Sequence, residues 1–419
     1  MQVAKLHTPS MLEGFVVLSL VLRAHAQCQY EVAVIQGETD CGAFPASPTL
    51  GRAVNEQAQV AGGYTTCAVG SAEAFLWDGQ LVTLQRPPGV GDAGAWDIND
   101  AGLIVGQMVV AGLGDRAFLH DGSQFIDLGS LPGGNLSRAR GINSRDQIVG
   151  VWGNNVTGDP ALAAFLWQDG MMTDLNQGLG GLNSEALDIN DASQVIGWMG
   201  TSSVIDAHAF IWCDGAVIDL GVIPGGFTAV ASAINAAGQV VGSGRQRLDD
   251  PPFFTGQAFA RDSRAVMEIL PVLSGYQNAS AADINDQGQI VGVAYGLGGN
   301  PNIQAAVIWQ HNTVSDLNDL IPANAGVHIT FAKSINNQGQ ITGQAEADNG
   351  DVVAVLLTPD EQAIGDLDFD CTVGVIDFLL LLQRWGPCAD PCPPHCSGDI
   401  DSDCNVGVTD MLLLLGDWG

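Results

Sequence analysis

One ten-residue pattern recurs seven times between residues 53 and 343, and it constrains the fold more than any other feature of the chain. Each copy has an apolar residue, an asparagine, a polar turn and an apolar run that ends in glycine, as in DINDAGLIVG (97–106) and AINAAGQVVG (233–242). The seven asparagines, at intervals of 44–51 residues, are Asn55, Asn99, Asn143, Asn190, Asn235, Asn285 and Asn336. A regular period of this length predicts that each copy belongs to one unit of a repeat architecture.

A second hairpin signal follows each copy of this pattern. In AFLWDGQLVTL (74–84) and AFIWCDGAVIDLG (209–221), apolar runs flank Asp-Gly turn residues. Each unit therefore contains four short strands in two hairpins, which suits one blade of a propeller. The sequence predicts an all-β, seven-bladed β-propeller. An open β-solenoid is the alternative, because tandem repeats do not by themselves require ring closure.

The two ends of the repeat region predict how the ring closes. The seventh copy stops after its third strand, at Leu356 and Leu357. The segment YEVAVIQ (30–36) precedes the first asparagine pattern, as a fourth strand would. If this segment completes the seventh blade, the two termini of the propeller share one sheet and an exposed edge is covered.

Several phrases within the repeats resemble the extracellular HAF repeat family. They are His208-Ala-Phe210, the Asp-Leu-Gly-x-x-Pro-Gly-Gly stretch at 219–226 and the anchor Ile-Asn-x-x-Gly-Gln-Val-Val-Gly at 234–242. The resemblance covers roughly residues 50–345 and implies an extracellular, β-propeller-like repeat protein. It implies nothing specific about activity, and most copies lack the histidine.

The C-terminal residues contain two copies of a twelve-residue loop with aspartates at positions 1, 3, 5 and 12. The first copy has Asp366, Asp368, Asp370 and Asp377, and the second has Asp399, Asp401, Asp403 and Asp410. Loops with this spacing surround Ca²⁺ with oxygen atoms, and the residue at position 7 contributes its backbone carbonyl. An apolar, helix-favouring segment follows each loop, at 377–386 and 410–419. Four consecutive leucines in each segment leave apolar side chains that must stay exposed, pack on the propeller or meet a partner.

This duplicated loop and helix, over residues 365–419, resembles a type I dockerin, a module that docks secreted proteins onto cohesin partners. By this resemblance Asp366, Asp368, Asp370 and Asp377 ligate one calcium ion with the Thr372 carbonyl, and Asp399, Asp401, Asp403 and Asp410 ligate a second with the Asn405 carbonyl. It also implies a protein partner. Two positions depart from the pattern: Cys371 and Cys404 stand at position 6 in place of glycine, and the partner-reading positions 10 and 11 are the largely apolar pairs 375–376 and 408–409.

The composition and the N-terminal residues predict where the protein functions. A net charge of -32, with only 14 Lys and Arg, disfavours nucleic acid and anionic membranes as partners. Residues 1–26 have the charged start, short apolar run and Ala-His-Ala end of a signal peptide, and no apolar run is long enough to span a bilayer. We therefore expect a secreted or cell-surface protein with a propeller at 27–359, a linker at 360–364 and the calcium module at 365–419.

Nine cysteines are then expected in a compartment that permits disulfides. Because nine is odd, at least one thiol stays free or pairs between chains. The series Cys388, Cys392 and Cys396 favours a disulfide-stapled linker over a zinc site. A bond between Cys371 and Cys404 is a further option.

Asp97, Asp188 and Asp283 occupy one repeat position in three units. Paired carboxylates could serve glycoside chemistry. Because these three follow the repeat, a structural role is favoured; the repeated asparagines and glycines are interpreted as turn residues, and Trp77, Trp167, Trp212 and Trp309 as blade core.

The sequence thus predicts a secreted, non-catalytic binding or scaffold protein whose C-terminal module binds two calcium ions and attaches it to an extracellular protein. One alternative is an enzyme of the O-glycosyl hydrolase type from a polysaccharide-degrading system, because dockerins commonly accompany such enzymes. Another is a calcium-stabilised surface adhesin. A carbohydrate ligand is compatible with each of these functions.

Overall fold

Short runs rich in β-branched and aromatic residues fold into strands throughout the repeat region. The computed structural model describes residues 30–37, 48–66, 71–154, 161–176, 178–179, 183–200, 206–247, 254–262, 266–296, 304–359, 367, 373–388, 398–400 and 403–416. Within the described part of residues 30–359, the strands form seven four-stranded antiparallel sheets. The predicted signal peptide and the linker at 360–364 lie outside the described residues.

Six of these sheets, blades 1 to 6, each consist of four consecutive strands. In chain order the strands are β2 (Thr49–Val54), β3 (Val60–Thr65), β4 (Ala72–Trp77) and β5 (Leu81–Thr83); β6 (Val90–Ile98), β7 (Ile104–Val110), β8 (Gly114–His120) and β9 (Phe125–Gly129); β10 (Leu136–Ile142), β11 (Ile148–Asn154), β12 (Ala161–Gln168) and β13 (Met171–Asp174); β14 (Asn183–Ile189), β15 (Val195–Gly200), β16 (His208–Cys213) and β17 (Ala216–Gly221); β18 (Gly226–Ile234), β19 (Val240–Arg247), β20 (Phe254–Arg261) and β21 (Met267–Ile269); β22 (Asn278–Ile284), β23 (Ile290–Tyr295), β24 (Gln304–Gln310) and β25 (Thr313–Asp316). A short 3-10 helix, Leu317–Asp319, follows β25.

Blade 7 joins the two ends of the repeat region. It contains β26 (Val327–Ile335), β27 (Ile341–Ala347), β28 (Val352–Pro359) and, as its outermost strand, β1 (Tyr30–Ile35). Strand β1 pairs antiparallel with β28 over its whole length, from Tyr30 opposite Pro359 to Ile35 opposite Ala354. The predicted closure of the seventh blade by the N-terminal segment is confirmed.

The seven blades form a closed ring. The first strand of each blade lies beside the first strands of both neighbouring blades, and the series β2, β6, β10, β14, β18, β22 and β26 returns to β2. The prediction of a seven-bladed β-propeller is therefore confirmed, and the open solenoid is wrong.

Apolar side chains on the faces of the sheets pack between neighbouring blades. Phenylalanines at one repeat position of blades 1 to 5 are fully buried: Phe75, Phe118, Phe165, Phe210 and Phe259. Of the tryptophans assigned to the core, Trp309 is buried, whereas Trp77, Trp167 and Trp212 are only partly buried at the margins of the core clusters. All four stand at or next to the ends of their strands, and Trp309 is buried because residues 270–276 pack against its cluster and its Nε1 donates to the Pro271 carbonyl at 2.7 Å.

Every first strand contains a β-bulge three residues before its asparagine. The bulged residues, which the pairing register skips, are Arg52, Trp96, Arg140, Leu187, Ser232, Ala282 and Lys333. Such a bulge bends the strand and increases its twist. In blade 3 it brings the Arg138 carbonyl over Gly150 of the second strand, where a β-carbon would overlap that oxygen.

The glycine that ends each repeat pattern is therefore not a turn residue, contrary to the sequence interpretation. This glycine lies inside the second strand of its blade. In each blade, a backbone carbonyl of the first strand occupies the space that a side chain would need. The seven glycines are Gly62, Gly106, Gly150, Gly197, Gly242, Gly292 and Gly343. The backbone approach, not a special backbone angle, selects glycine here.

The described part of the C-terminal module consists of two helices and a short two-stranded ladder. The elements are α1 (Val375–Gln383), β29 (Gly386–Pro387), β30 (Asn405–Val406) and α2 (Val408–Gly416), with β29 antiparallel to β30. A small core of four residues, Val373, Leu381, Val406 and Leu414, joins them. Among the described residues, neither helix is long enough to cross a membrane.

Candidate functional site

The two predicted calcium loops place their last aspartates alike. Asp377 and Asp410 are each the third residue of a helix and are almost fully buried. Asp377 accepts hydrogen bonds from the backbone N–H groups of Leu367 (2.7 Å) and Gly374 (2.6 Å). Asp410 accepts the equivalent pair from Ile400 (2.6 Å) and Gly407 (2.7 Å). In both copies position 12 thus fixes the backbone at positions 2 and 9.

More of the second loop is described than of the first. Asp399 at position 1 accepts the N–H groups of Asp403 (3.0 Å) and Cys404 (2.9 Å), and Asp403 accepts that of Asn405 (2.8 Å). These bonds curl the backbone around the carboxylates. Each carboxylate oxygen keeps a second lone pair, so that an N–H bond does not remove it as a ligand.

Position 6 of the second loop shows how cysteine replaces glycine. Cys404 has φ +69°, the left-handed conformation that glycine ordinarily supplies in such loops. For a residue with a side chain this conformation costs about 1–2 kcal/mol. Cys404 and Cys388 are both disulfide-bonded, and the Cys388 N–H donates to the Cys404 carbonyl at 3.0 Å. Cys213 has a free thiol.

The remaining predicted ligands, Asp366, Asp368, Asp370, Thr372 and Asp401, lie outside the described residues, as do Cys371, Cys392 and Cys396. Within the described ranges, no three acidic, histidine or cysteine side chains are grouped closely enough to hold a metal ion. The predicted ligands that are described nevertheless offer carboxylate oxygens, which are hard donors of the type that Ca²⁺ prefers. They are Asp377, Asp399, Asp403 and Asp410.

The central cavity of the propeller brings together residues from all seven repeats. Its volume is about 260 Å³. It opens at the end where the first strands finish, and it is lined by the repeat asparagines with the residues just before and after them.

The seven asparagines form a closed ring of hydrogen bonds around this cavity. Each Nδ2 donates to the backbone carbonyl of the corresponding asparagine in the next blade, at 2.9–3.2 Å, and Asn336 closes the ring onto Asn55. All seven side chains are buried. The Oδ1 atoms accept backbone N–H groups of their own turns, for example from Arg145 and Gln147 to Asn143, both at 3.0 Å. The sequence predicted the turn but missed the ring.

Asp97, Asp188 and Asp283 lie two residues before the asparagine on the first strands of blades 2, 4 and 6. One oxygen of each accepts the N–H of the following residue, at 2.7–2.8 Å. The other accepts an N–H from the next blade, at 2.9 Å, donated by Ile142, Ile234 and Ile335 respectively. Each aspartate therefore joins an even-numbered blade to the blade after it.

The intervening blades carry small residues at this position, namely Ala53, Gly141, Ala233 and Ser334. A β-carbon on Gly141 would lie only 3.2 Å from the Asp188 Cα. The space is therefore taken by the neighbouring aspartate. In blade 7, the Ser334 Oγ accepts the Val54 N–H at 3.3 Å and so replaces a carboxylate in the same bridging role.

Enclosure by protein makes these carboxyl groups hard to ionise. Burial raises the pKa of Asp188 to about 7, and the Asp283 charge adds to the effect. Burial and the neighbouring Asp188 charge hold the pKa of Asp97 well above its usual value, and burial likewise raises the pKa of Asp283. Folding thus shifts all three carboxyl groups toward the protonated form relative to the unfolded chain.

We predict a pH dependence of stability from Asp188. Because its folded-state pKa is raised, its contribution to stability is fully present below about pH 4 and is lost as pH rises to about 7. In Asp188→Ser, which keeps an oxygen acceptor as blade 7 does, the free energy of unfolding should fall less steeply with pH, by up to about 1.4 kcal/mol per pH unit. Urea unfolding at several values from about pH 5 to about pH 7 measures the two slopes.

Ala53→Ser is the matched control, because it places a serine at the same repeat position of blade 1 without removing a titratable group. Its pH slope should equal that of the parent protein. Equal slopes in the parent and in Asp188→Ser would contradict the prediction.

The bulged residues of the first strands were not recognised from the sequence. Four of them are large and either cationic or aromatic: Lys333, Arg52, Trp96 and Arg140, in the consecutive blades 7, 1, 2 and 3. The remaining three, in blades 4 to 6, are the uncharged Leu187, Ser232 and Ala282. This departure from the repeat is visible in the sequence once the copies are aligned on asparagine.

Comparison with known proteins supplies neighbours of the fold. No protein-family model and no curated protein matches the chain. One similar solved structure is the β-propeller domain of the Trilobed protease from Pyrococcus furiosus, with TM-score 0.48 and 10% identity over 74% of this chain and 93% of that one. A second is selenomethionine-substituted virginiamycin B lyase from Staphylococcus aureus, with TM-score 0.47 and 10% identity over 79% of this chain and 100% of that one. A third is TolB from Acinetobacter baumannii, with TM-score 0.37 and 14% identity over 69% of this chain and 76% of that one. Similarity at this level carries no information about ligand or activity.

Proposed function

We propose that this chain is a secreted, non-catalytic binding or scaffold protein whose C-terminal dockerin-like module binds two calcium ions and attaches it to another extracellular protein. The observation that carries the proposal is the matched pair Asp377 and Asp410. Each is buried at the start of a helix, and each accepts the N–H groups of loop positions 2 and 9 at 2.6–2.7 Å. Two loops built alike around a buried carboxylate are what a duplicated calcium module requires.

Calcium would complete these loops by neutralising their carboxylates. Asp366, Asp368, Asp370 and Asp377, with the Thr372 carbonyl, would hold the first ion. Asp399, Asp401, Asp403 and Asp410, with the Asn405 carbonyl, would hold the second. Concentrating four negative charges in one loop is unfavourable without a cation, and more so in a chain with a net charge of -32.

The exposed faces of the helices support attachment to a protein partner. Val375, Leu379 and Leu382 of α1 are 42–63% exposed. The corresponding residues of α2, which are Val408, Leu412 and Leu415, are 44–61% exposed. Each helix thus presents the same apolar stripe, while its buried leucine, Leu381 or Leu414, packs inside the module. Paired apolar stripes of this kind suit a protein-binding surface.

The propeller supports the non-catalytic part of the proposal. Both oxygens of Asp97, Asp188 and Asp283 accept backbone N–H groups, and the third carboxyl group repeats the arrangement of the first two. They join blades at regular intervals, which accounts for them without acid–base chemistry. We therefore prefer a recognition or scaffold role over a glycoside hydrolase.

Calorimetric titration of the full chain tests the calcium sites. We expect about two calcium ions per chain, about one in Asp399→Ala, and none in the Asp366→Ala, Asp399→Ala double variant. Asp127→Ala removes the same charge from an exposed ion pair of the propeller and should keep the parent stoichiometry. A double variant that binds calcium as well as the parent would refute the assignment.

Attachment is tested separately with the apolar stripes. The full chain, with calcium, should capture a defined partner from the producing organism's secreted fraction. Leu379→Glu with Leu412→Glu should abolish capture and leave the calcium stoichiometry at about two, because both side chains point away from the module core. Capture that is equal with and without calcium, or unaffected by these substitutions, would refute attachment through this module.

A further inference from the structure

The bulged residues of blades 7, 1, 2 and 3 bring positive charge together inside the propeller. We call Lys333, Arg52, Trp96 and Arg140 the cationic arc. The guanidinium carbons of Arg52 and Arg140 lie 3.9 and 4.1 Å from the centre of the Trp96 ring, and the Lys333 amine lies 3.4 Å from the centre of the Phe331 ring. All four arc residues keep some exposure to solvent. The arc thus lines the inner strands at one level and remains open to water.

Two of the three cations in the arc have no anionic partner within the described part of the chain. Arg140 pairs with Glu185 at 2.7 Å. Among the residues that the structure describes, neither Arg52 nor Lys333 lies within 4 Å of a carboxylate. Burial and the nearby Arg52 charge lower the pKa of Lys333 to about 8, and burial and the Arg140 charge lower the pKa of Arg52 to about 10. The arc therefore contains uncompensated positive charge.

Packing alone does not account for this arrangement. Cation–π contacts explain why Arg52 and Arg140 lie over Trp96, and each is worth about 0.5–2 kcal/mol. They do not explain why Lys333 lies close enough to Arg52 for the two charges to repel. Three of the 14 basic residues of a chain with a net charge of -32 stand at this one level, although many surface sites would hold them without repulsion.

The arc also breaks the symmetry of the repeat. At the same position blades 4, 5 and 6 have Leu187, Ser232 and Ala282. One side of the ring is therefore charged and aromatic, while the other is uncharged and carries two small side chains that leave room. The asparagines that join the blades occur in all seven copies, whereas the cationic arc occupies only one side of the ring.

We infer that the cationic arc is a binding site for a small ligand that carries an oxyanion group, which is a carboxylate, sulfate or phosphate. Arg52 and Lys333 supply the unpaired charge, and the Trp96 ring holds the Arg52 guanidinium in place. Guanidinium and ammonium groups donate charge-assisted hydrogen bonds to such oxygens.

The inference rests on the proposed recognition role of the propeller, and it does not depend on the proposed calcium module at 365–419. The test uses the full chain in sodium sulfate, sodium phosphate or sodium glucuronate, against sodium chloride at equal ionic strength. At least one oxyanion should raise Tm by roughly 2 °C at tenfold above its Kd. Glucuronate acting alone would assign a carboxylate ligand, and sulfate or phosphate acting alone a tetrahedral one.

Variants separate binding from packing. Lys333→Met and Arg52→Gln should each lower the affinity for that oxyanion at least about tenfold in calorimetry, equivalent to 1.4 kcal/mol. Lys333→Arg should retain binding. Arg247→Gln, which removes a distant cation that lies over Phe227, should bind as the parent does.

Lys333→Met should also match or exceed the parent Tm in sodium chloride, because it removes an uncompensated charge. No oxyanion effect in the parent, or an equal effect in every variant, would overturn the inference. Either result would leave the calcium stoichiometry, and with it the proposed attachment module, unaffected.

Discussion

Gly150→Ala is expected to lower the free energy of unfolding by about 3 kcal/mol, the upper part of the range for overpacking a tight interior. The β-carbon would overlap the Arg138 carbonyl oxygen and lie 3.0 Å from the Ala139 Cα. Both neighbours are backbone atoms of a bulged strand, so that no side-chain rotation can relieve the contact. Relief requires the first strand of blade 3 to move away, which disturbs its bonds to the adjacent blades. Urea unfolding followed by tryptophan fluorescence measures the change.

Gly94→Ala provides the control for this prediction. Gly94 lies on the first strand of blade 2, has no positive φ, and has no atom within 4 Å of the position a β-carbon would take. This substitution should change stability by less than about 0.5 kcal/mol. Similar stabilities for the two variants would show that the bulged strand can shift at little cost, contrary to our account.

Asn143→Asp is expected to have a comparable or larger effect, about 3–5 kcal/mol, which is typical of a buried charge without a partner. The Asn143 Nδ2 donates to Gln147 Oε1 at 2.7 Å and to the Asn190 carbonyl at 3.1 Å. An aspartate at 143 would place a charged oxygen, which can only accept, next to the Gln147 Oε1 and the Asn190 carbonyl oxygen, which also only accept. Rotating the Gln147 amide would satisfy one contact but would lose its own 3.0 Å bond to Gln168.

The size of this effect should depend on pH, because protonation of the new carboxyl restores one donor. Stability of Asn143→Asp should therefore recover toward that of the parent as pH falls toward the ordinary range of a carboxyl group, at about 4. Asn312→Asp makes the same chemical change at an exposed turn and should cost less than about 0.5 kcal/mol. If Asn143→Asp proves as stable as Asn312→Asp near neutral pH, the asparagine ring is not a significant source of stability.

The repeat architecture could be predicted from the sequence because its determinants are local. Apolar alternation, hairpin turns and a regular period each appear within a single copy, and only the count of copies was needed to reach seven blades. Closure by residues 30–36 was predictable for the same reason: blade 7 lacked a strand and the N-terminal segment could supply one.

Contacts between copies could not be predicted in the same way. Asn143 satisfies the rules for a turn residue through Oδ1 alone, so that nothing in its own copy points to a partner in the next blade. Gly150 looked like a turn glycine because the carbonyl that excludes a side chain belongs to a strand earlier in the chain. The bridging role of Asp188 likewise depends on Ile234, which belongs to the next repeat.

The candidate sites show the same division. The calcium loops were predicted from spacing within twelve residues, and they stay a prediction; the structure adds the matched bonds of Asp377 and Asp410. The cationic arc was not predicted because its members are spread along the sequence from Arg52 to Lys333. They share only their position, three residues before the repeat asparagine. Comparing the copies for their differences, rather than for their common pattern, would have revealed it.

The pairing of β1 with β28 also has a consequence for the time course of synthesis. β1 is made first among the blade strands, and its partner is made last. At roughly 5–20 residues per second, β1 waits some tens of seconds on the ribosome or in transit before its partner exists. Throughout that interval the segment Tyr-Glu-Val-Ala-Val-Ile is an unpaired, largely apolar strand that could pair with any open sheet edge. The pairing that closes the finished ring therefore requires that β1 stay unpaired until β28 has been synthesised.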